Sequence, residues 1–197
     1  MYMSAGSKDL VFEAGGALYL LDLKSQKYKE VPVNIVSDLS LELPQAKDVS
    51  RSITNMTASP EGKRIVFEAR GELFNVPVTE GYTLNLTSSS GSFDRNPSWS
   101  PNGKQIAYWS DQSGEFEIYL QSPDKAWPLR KLTNRNIGFG YNLNWSPDSK
   151  RIAFIDEKNN ISIVDSAGTI VLVDHTVLNI PHSAKFNYTL AWSPDSK

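Results

Sequence analysis

Few side chains in this sequence of 197 residues could do covalent chemistry. It has no cysteine and two histidines, His175 and His182. Thiolate catalysis, disulfides and thiolate metal sites are therefore excluded. A serine hydrolase would show a G-x-S-x-G elbow, a zinc peptidase an H-E-x-x-H helix, and a nucleotide site a glycine-rich phosphate loop. None of these is present. Asp174-His175 joins an acid to an imidazole, but neighbours on a strand point to opposite faces and do not form a dyad. Asp111-Gln112-Ser113-Gly114-Glu115 gathers carboxylates around a glycine without the spacing of a calcium loop, and it reads as a polar hairpin. The sequons at Asn55, Asn85, Asn160 and Asn187 fall on or beside expected strands and read as coincidence. No catalytic residue, cofactor site or metal site is assigned.

What remains is binding chemistry, and its residues are placed by a repeat. Trp145-Ser146-Pro147-Asp148-Ser149-Lys150-Arg151-Ile152-Ala153-Phe154 recurs as Trp99-Ser100-Pro101-Asn102-Gly103 through Tyr108 and as Ala58-Ser59-Pro60-Glu61-Gly62 through Phe67. A fourth copy starts at Trp192. From Ser59 to Ser100, Ser146 and Ser193 the steps are 41, 46 and 47 residues, the period of a four-stranded propeller blade. The expected fold is all-β, with blades of four antiparallel strands.

Each part of the repeat has a physical task. Ser-Pro-Asn-Gly suits a type I turn followed by a left-handed residue, which joins the first strand of a blade to the second. The Trp supplies a large apolar ring between neighbouring sheets. Ala58 replaces it in the first full repeat, which predicts a thinner contact there. Ser149 and Ser196 stand where glycine is expected, which predicts strain or another turn type.

The strands expected from this pattern are 53–58, 64–69, 72–78 and 83–87, then 96–100, 105–109, 115–121 and 129–133, then 143–146, 151–155, 161–164 and 169–173. On the third strand of the second repeat, Phe116, Ile118 and Leu120 should face one way, and Glu115, Glu117 and Gln121 the other. The resulting organisation is a partial blade at 1–33 lacking its first strand, a linker at 34–52, blades at 53–94, 95–139 and 140–185, and an incomplete blade at 186–197. The two ends have complementary phases, so Phe186–Trp192 is expected to pair with Leu10–Glu13. Self-association through the incomplete blades is the competing outcome.

The first strand of each blade lines a propeller's channel. Polar residues just before the Trp position are therefore the candidate channel lining: Thr54, Asn55, Asp94, Arg95, Asn96, Tyr141, Asn142, Asn187 and Tyr188. They are candidates to contact a partner in the channel, and the alternative is that they only hydrate its wall. With 20 Lys+Arg against 22 Asp+Glu and no basic run, nucleic acid is not an expected partner. No apolar stretch is long enough for a membrane span, and the first ten residues do not read as a signal peptide. The expected compartment is the cytoplasm, or the periplasm if a parent protein carries a signal peptide.

The repeat, followed by an Ile118-Tyr119-Leu120 strand and a Leu132-Thr133 ending, resembles the propeller repeats of TolB-type proteins, prolyl-oligopeptidase-like enzymes and tricorn proteases. Phe12-Glu13-Ala14 through Leu23, Lys29-Glu30-Val31-Pro32-Val33, and Phe67-Glu68-Ala69-Arg70-Gly71-Glu72-Leu73-Phe74 look like the junction between the two propellers of tricorn proteases. The resemblance implies two propellers, of six and seven blades, ahead of a serine peptidase core with a PDZ domain. It also implies propellers that guide or filter peptides. Nothing of that core matches this sequence, so the implied role is a non-catalytic piece that guides peptides or acts as a scaffold. The alternatives are a standalone protein-binding propeller of the TolB type and the gating propeller of an oligopeptidase.

Overall fold

The structure, a computed structural model, describes residues 3–14, 17–34, 48–136, 138–175 and 189–196. It divides into two compact units, Met1–Ala46 and Lys47–Lys197.

The first unit is one antiparallel sheet in the order β1 (Met3–Ala5), β2 (Asp9–Ala14), β3 (Ala17–Asp22), β4 (Tyr28–Val31). Apolar runs separated by turn residues place the last three strands. The turn after β3 is set by Asp22, whose Oδ1 accepts the amides of Lys24 and Ser25 at 3.1 and 2.6 Å. Phe12 stacks on Tyr19 at 5.3 Å, and Tyr28 meets both rings edge-on. Gly15 and Gly16, between β2 and β3, lie outside the described residues.

The edge strand β1 was not assigned from sequence, and it bears on the expected closure. Met3, Ser4 and Ala5 pair with Phe12, Val11 and Leu10. β2 is thus hydrogen-bonded on both sides, by β1 and β3. Leu10, Val11 and Phe12 thus already have strand partners on both sides, and Phe186, Asn187 and Tyr188 of the expected pairing lie outside the described residues.

The second unit repeats one meander three times. The first sheet is β5 (Ile53–Ala58), β6 (Arg64–Ala69), β7 (Glu72–Pro77) and β8 (Leu84–Asn85). The second is β9 (Asp94–Trp99), β10 (Ile106–Ser110), β11 (Glu117–Gln121) and β12 (Arg130–Lys131). The third is β13 (Gly140–Trp145), β14 (Arg151–Asp156), β15 (Asn160–Asp165) and β16 (Ile170–His175). These are blade-like sheets, and their cores lie between consecutive sheets. Val66, Leu73 and Leu86 meet Trp99, Ile106, Tyr108 and Tyr119 at one interface. Ala107, Trp109, Ile118, Leu120 and Leu132 meet Leu143, Trp145, Ile152, Phe154 and Val164 at the next.

The repeat's residues do what their chemistry suggests, and more. In all four copies the turn closes by an i to i+3 bond: Gly62 to Ser59, Gly103 to Ser100, Ser149 to Ser146 and Ser196 to Ser193, at 2.8–2.9 Å. Ser149 and Ser196 keep the left-handed conformation of glycine, with φ of 60° and 61°. The turn does not change type. Instead Ser149 Oγ accepts the Asn102 amide of the preceding sheet, and Ser196 Oγ accepts that of Asp148, both at 3.1 Å. A glycine makes neither bond, so the serine exchanges backbone strain for a tie between neighbouring turns. Two of the repeat's tryptophans also tie sheets: the indole N–H of Trp145 donates to Ser98 O at 3.1 Å and that of Trp192 to Asn144 O at 3.0 Å. Where Ala58 replaces Trp, the side chain is exposed.

The Leu-Thr ending closes each of the first two meanders. Leu86 and Leu132 donate their amides to Leu73 O and Ile118 O, and fill the core. The next hydroxyls, of Thr87 and Thr133, accept the amides of Leu73 and Ile118 at 3.1 and 2.9 Å. Glu117, expected on the polar face of its strand, is fully buried instead. Its carboxylate accepts from the Thr133 hydroxyl and from the Asn136 amide. These donors hold it in place, which polar/apolar alternation alone could not reveal.

Candidate functional site

The inner strands β5, β9 and β13 each carry a β-bulge near their start. Asn55, Asn96 and Asn142 stand at the corresponding position of the three repeats. The bulge leaves the ladder one residue out of step and re-aims the side chains around it. Asn96 and Asn142 have φ of 51° and 31°, a region in which asparagine is among the better tolerated side chains. At Asn96 and Asn142 asparagine serves for two reasons at once: it accepts the backbone kink, and its side-chain amide carries both a donor and an acceptor.

The bulges bring the asparagines together. Thr54, Asn55, Glu68, Phe93, Arg95, Asn96 and Asn142 line a concavity of about 570 Å³. Asn55, Asn96 and Asn142 also line an adjoining one of about 330 Å³, completed by Pro97, Leu143, Asn144, Thr189 and Leu190.

Of the expected lining residues, Thr54, Asn55, Arg95, Asn96 and Asn142 are here. Asp94 and Tyr141 are not. Tyr141 is fully buried and Asp94 is 1% exposed. Each precedes the bulge on its strand, and both pack within the sheets. The Ser89 hydroxyl donates to Asp94, and burial raises the Asp94 carboxyl above its ordinary range against the lowering effect of nearby hydroxyls. Burial likewise raises the Tyr141 phenol, with Arg95 opposing. Asn187 and Tyr188 lie outside the described residues. Thr189, 47 residues after Asn142, takes the corresponding place in the fourth repeat.

Glu68 is the residue that the sequence reading missed. It sits on β6, not on an inner strand, so counting back from the Trp position does not reach it. Its two carboxylate oxygens accept from the Thr54 hydroxyl and the Asn96 amide, each at 2.7 Å, so it fixes the bulge of the next sheet. Arg95 balances its charge. The guanidinium lies 4.7 Å from the Phe139 ring centroid and 5.9 Å from that of Phe116, and Nε donates to Asn96 Oδ1 at 2.9 Å. Burial lowers the Arg95 pKa and the Glu68 charge opposes that, so the group stays cationic. The site offers amides, a hydroxyl, one carboxylate and one guanidinium, with the exposed ring of Phe93 beside them. That set matches the alternating N–H and C=O groups of an extended peptide.

Among the described residues the covalent candidates stay apart from such chemistry, and His182 lies outside those residues. His175 Nδ1 lies 2.8 Å from Asn160 Oδ1, and the Asp174 carboxylate accepts the backbone amide of His175 rather than its ring. Asp111–Glu115 forms the turn between β10 and β11, with Asp111 accepting the Phe93 amide at 2.7 Å. Among the described residues no three His, Cys, Asp or Glu side chains are grouped to hold a metal. Among them, too, no helix is long and apolar enough to cross a membrane.

No family model matches the chain. Solved structures do. TolB from Acinetobacter baumannii is similar at 20% identity and a TM-score of 0.53, covering 88% of this chain and 42% of that one. The tricorn protease is similar at 15% identity and a TM-score of 0.57, covering 86% of this chain and 16% of that one. Puromycin hydrolase aligns at 17% identity with a TM-score of 0.53, covering 84% and 28%. The chain thus spans less than half the length of each of these proteins. Its sheets are β-propeller blades of the kind found in TolB, the tricorn protease and puromycin hydrolase.

Proposed function

We propose that this chain is a non-catalytic propeller segment of a tricorn-like serine peptidase, and that its bulge-lined concavity binds extended peptide. The observation that carries the reading is the convergence of Asn55, Asn96 and Asn142 on one concavity beside Glu68 and Arg95. Three amides at the same position of successive blades present donors and acceptors in a row, which an extended backbone can meet without regard to its side chains. The likeness to the tricorn protease supports the peptidase context.

Fluorescence anisotropy with labelled unstructured peptides tests the site. Asn142→Asp keeps the shape and the tolerance for positive φ but loses the amide donor. It should weaken binding about tenfold, the worth of one good hydrogen bond. Unchanged affinity in Asn142→Asp and Asn55→Asp together would reject the site. The same purified chain should show no peptide hydrolysis, and turnover would reject the non-catalytic role.

A second reading, a protein-binding propeller without a peptidase, draws on the likeness to TolB and to nidogen, the latter solved in complex with laminin at 13% identity and a TM-score of 0.52. It predicts that a folded partner competes for the concavity where free peptides bind weakly.

A further inference from the structure

The outer strand of the third sheet departs from those of its neighbours. β8 and β12 are two residues long, and β12 is Arg130-Lys131, a charged edge of the kind that discourages strand addition. β16 is six residues long and wholly exposed: Ile170 is 39%, Val171 58%, Leu172 60% and Val173 56% open to solvent. It carries no lysine, arginine or proline.

A further sheet stacked on the other face of the third would not hide Ile170 and Leu172. Ile170 and Leu172 lie opposite Val164 and Ser162 of β15, and Val164 belongs to the core shared with the second sheet. Ile170 and Leu172 therefore face the second sheet, whose outer strand is too short to cover them. Val171, opposite Ile163, faces the other way.

The backbone sets the register that a new strand would take. Asp165 N donates to Thr169 O at 3.1 Å, so Thr169 is turned toward β15. The alternation of an antiparallel ladder turns Val171 the same way and leaves the N–H and C=O of Ile170 and Leu172 pointing outward.

We propose that β16 is a self-association edge that pairs antiparallel with β16 of a second copy, about a two-fold axis at Val171. That register sets Ile170 opposite the partner's Leu172, and Leu172 opposite the partner's Ile170. Each pair exchanges two backbone bonds. Apolar side chains meet on both faces, and Thr169 meets Val173, so no like charges oppose one another. The second copy is favoured over an unrelated strand because the segment is self-complementary in this register. The irregularity in the β15–β16 ladder, between the Ile161 and Ser162 pairings, lies beyond Leu172 and leaves the three central residues regular.

Sedimentation equilibrium on the full chain tests this, with hydrogen exchange at high and low protein concentration. The wild type should show a reversible monomer–dimer equilibrium, with the Ile170 and Leu172 amides protected only at high concentration. Leu172→Lys, at an exposed position, should weaken the dimer at least about tenfold while leaving the melting temperature unchanged. Ile170→Lys should do the same. A wild type that stays monomeric, an association insensitive to both lysines, or concentration-dependent protection confined to other strands would each overturn the proposal.

Discussion

At the scale of single residues, Ser149 shows how a departure from the repeat is compensated. Its left-handed backbone carries a cost of about 1 kcal/mol or more, and its hydroxyl returns a bond to the preceding turn. Ser149→Ala keeps the strain and loses the bond, so it should destabilise by about 1 kcal/mol. Ser149→Gly loses both and should be nearly neutral, an order that urea unfolding can check. Asp94 carries a pH signature. Burial raises its carboxyl, so the folded state favours the neutral form, and its contribution is greatest at low pH. That contribution is lost as pH rises from the ordinary value of 3.8 through the raised one. Asp94→Asn should therefore gain stability relative to wild type as the solution moves from acid to neutral. Melting temperatures of both proteins across that range would show it, and parallel curves would contradict the assignment. The sequence located Ser149 as an anomaly but could not supply its remedy, because the partner amide is 47 positions away.

At the scale of elements, β5 and β6 have the bounds that the repeat predicts, since their turn is written in Ser-Pro-x-Gly. The outer strands were harder. Thr83–Thr87 and Leu129–Thr133 read as five-residue strands, yet only Leu84–Asn85 and Arg130–Lys131 pair. Apolar pattern reports burial, and Leu86 and Leu132 are buried just after the ladder ends. The short first strand β1 shows the converse: Met3-Ser4-Ala5 is too short for its alternation to mark a strand, and only its partner β2 makes it one. The Leu-Thr ending gives a test. Thr133→Val keeps the shape but strands the Ile118 amide and one Glu117 oxygen in the core, at a cost of about 1–3 kcal/mol in unfolding free energy. Gly140→Ala should cost about as much or more. A Cβ there would come within 2.0 Å of the Trp109 ring, which packs directly on the Gly140 backbone.

At the scale of the whole molecule, stability in such an array is a sum over sheets and the interfaces between neighbours. Trp145→Ala removes both a core ring and the tie to Ser98, and should cost about 3–5 kcal/mol, seen as uncoupled unfolding of the third sheet from the second. The propeller architecture was legible because a period repeats. The candidate site was half legible: inner-strand polar residues can be counted from the Trp, but the bulge decides which of them face the concavity, and Glu68 enters from a different strand. The central claim is that the three repeated asparagines act as one peptide-binding row. The most direct test follows the side-chain amide resonances of Asn55, Asn96 and Asn142 by NMR during titration with an unstructured peptide. The account predicts that all three shift together along one saturating curve. Saturable binding of that peptide with the three asparagine amides unmoved would contradict it.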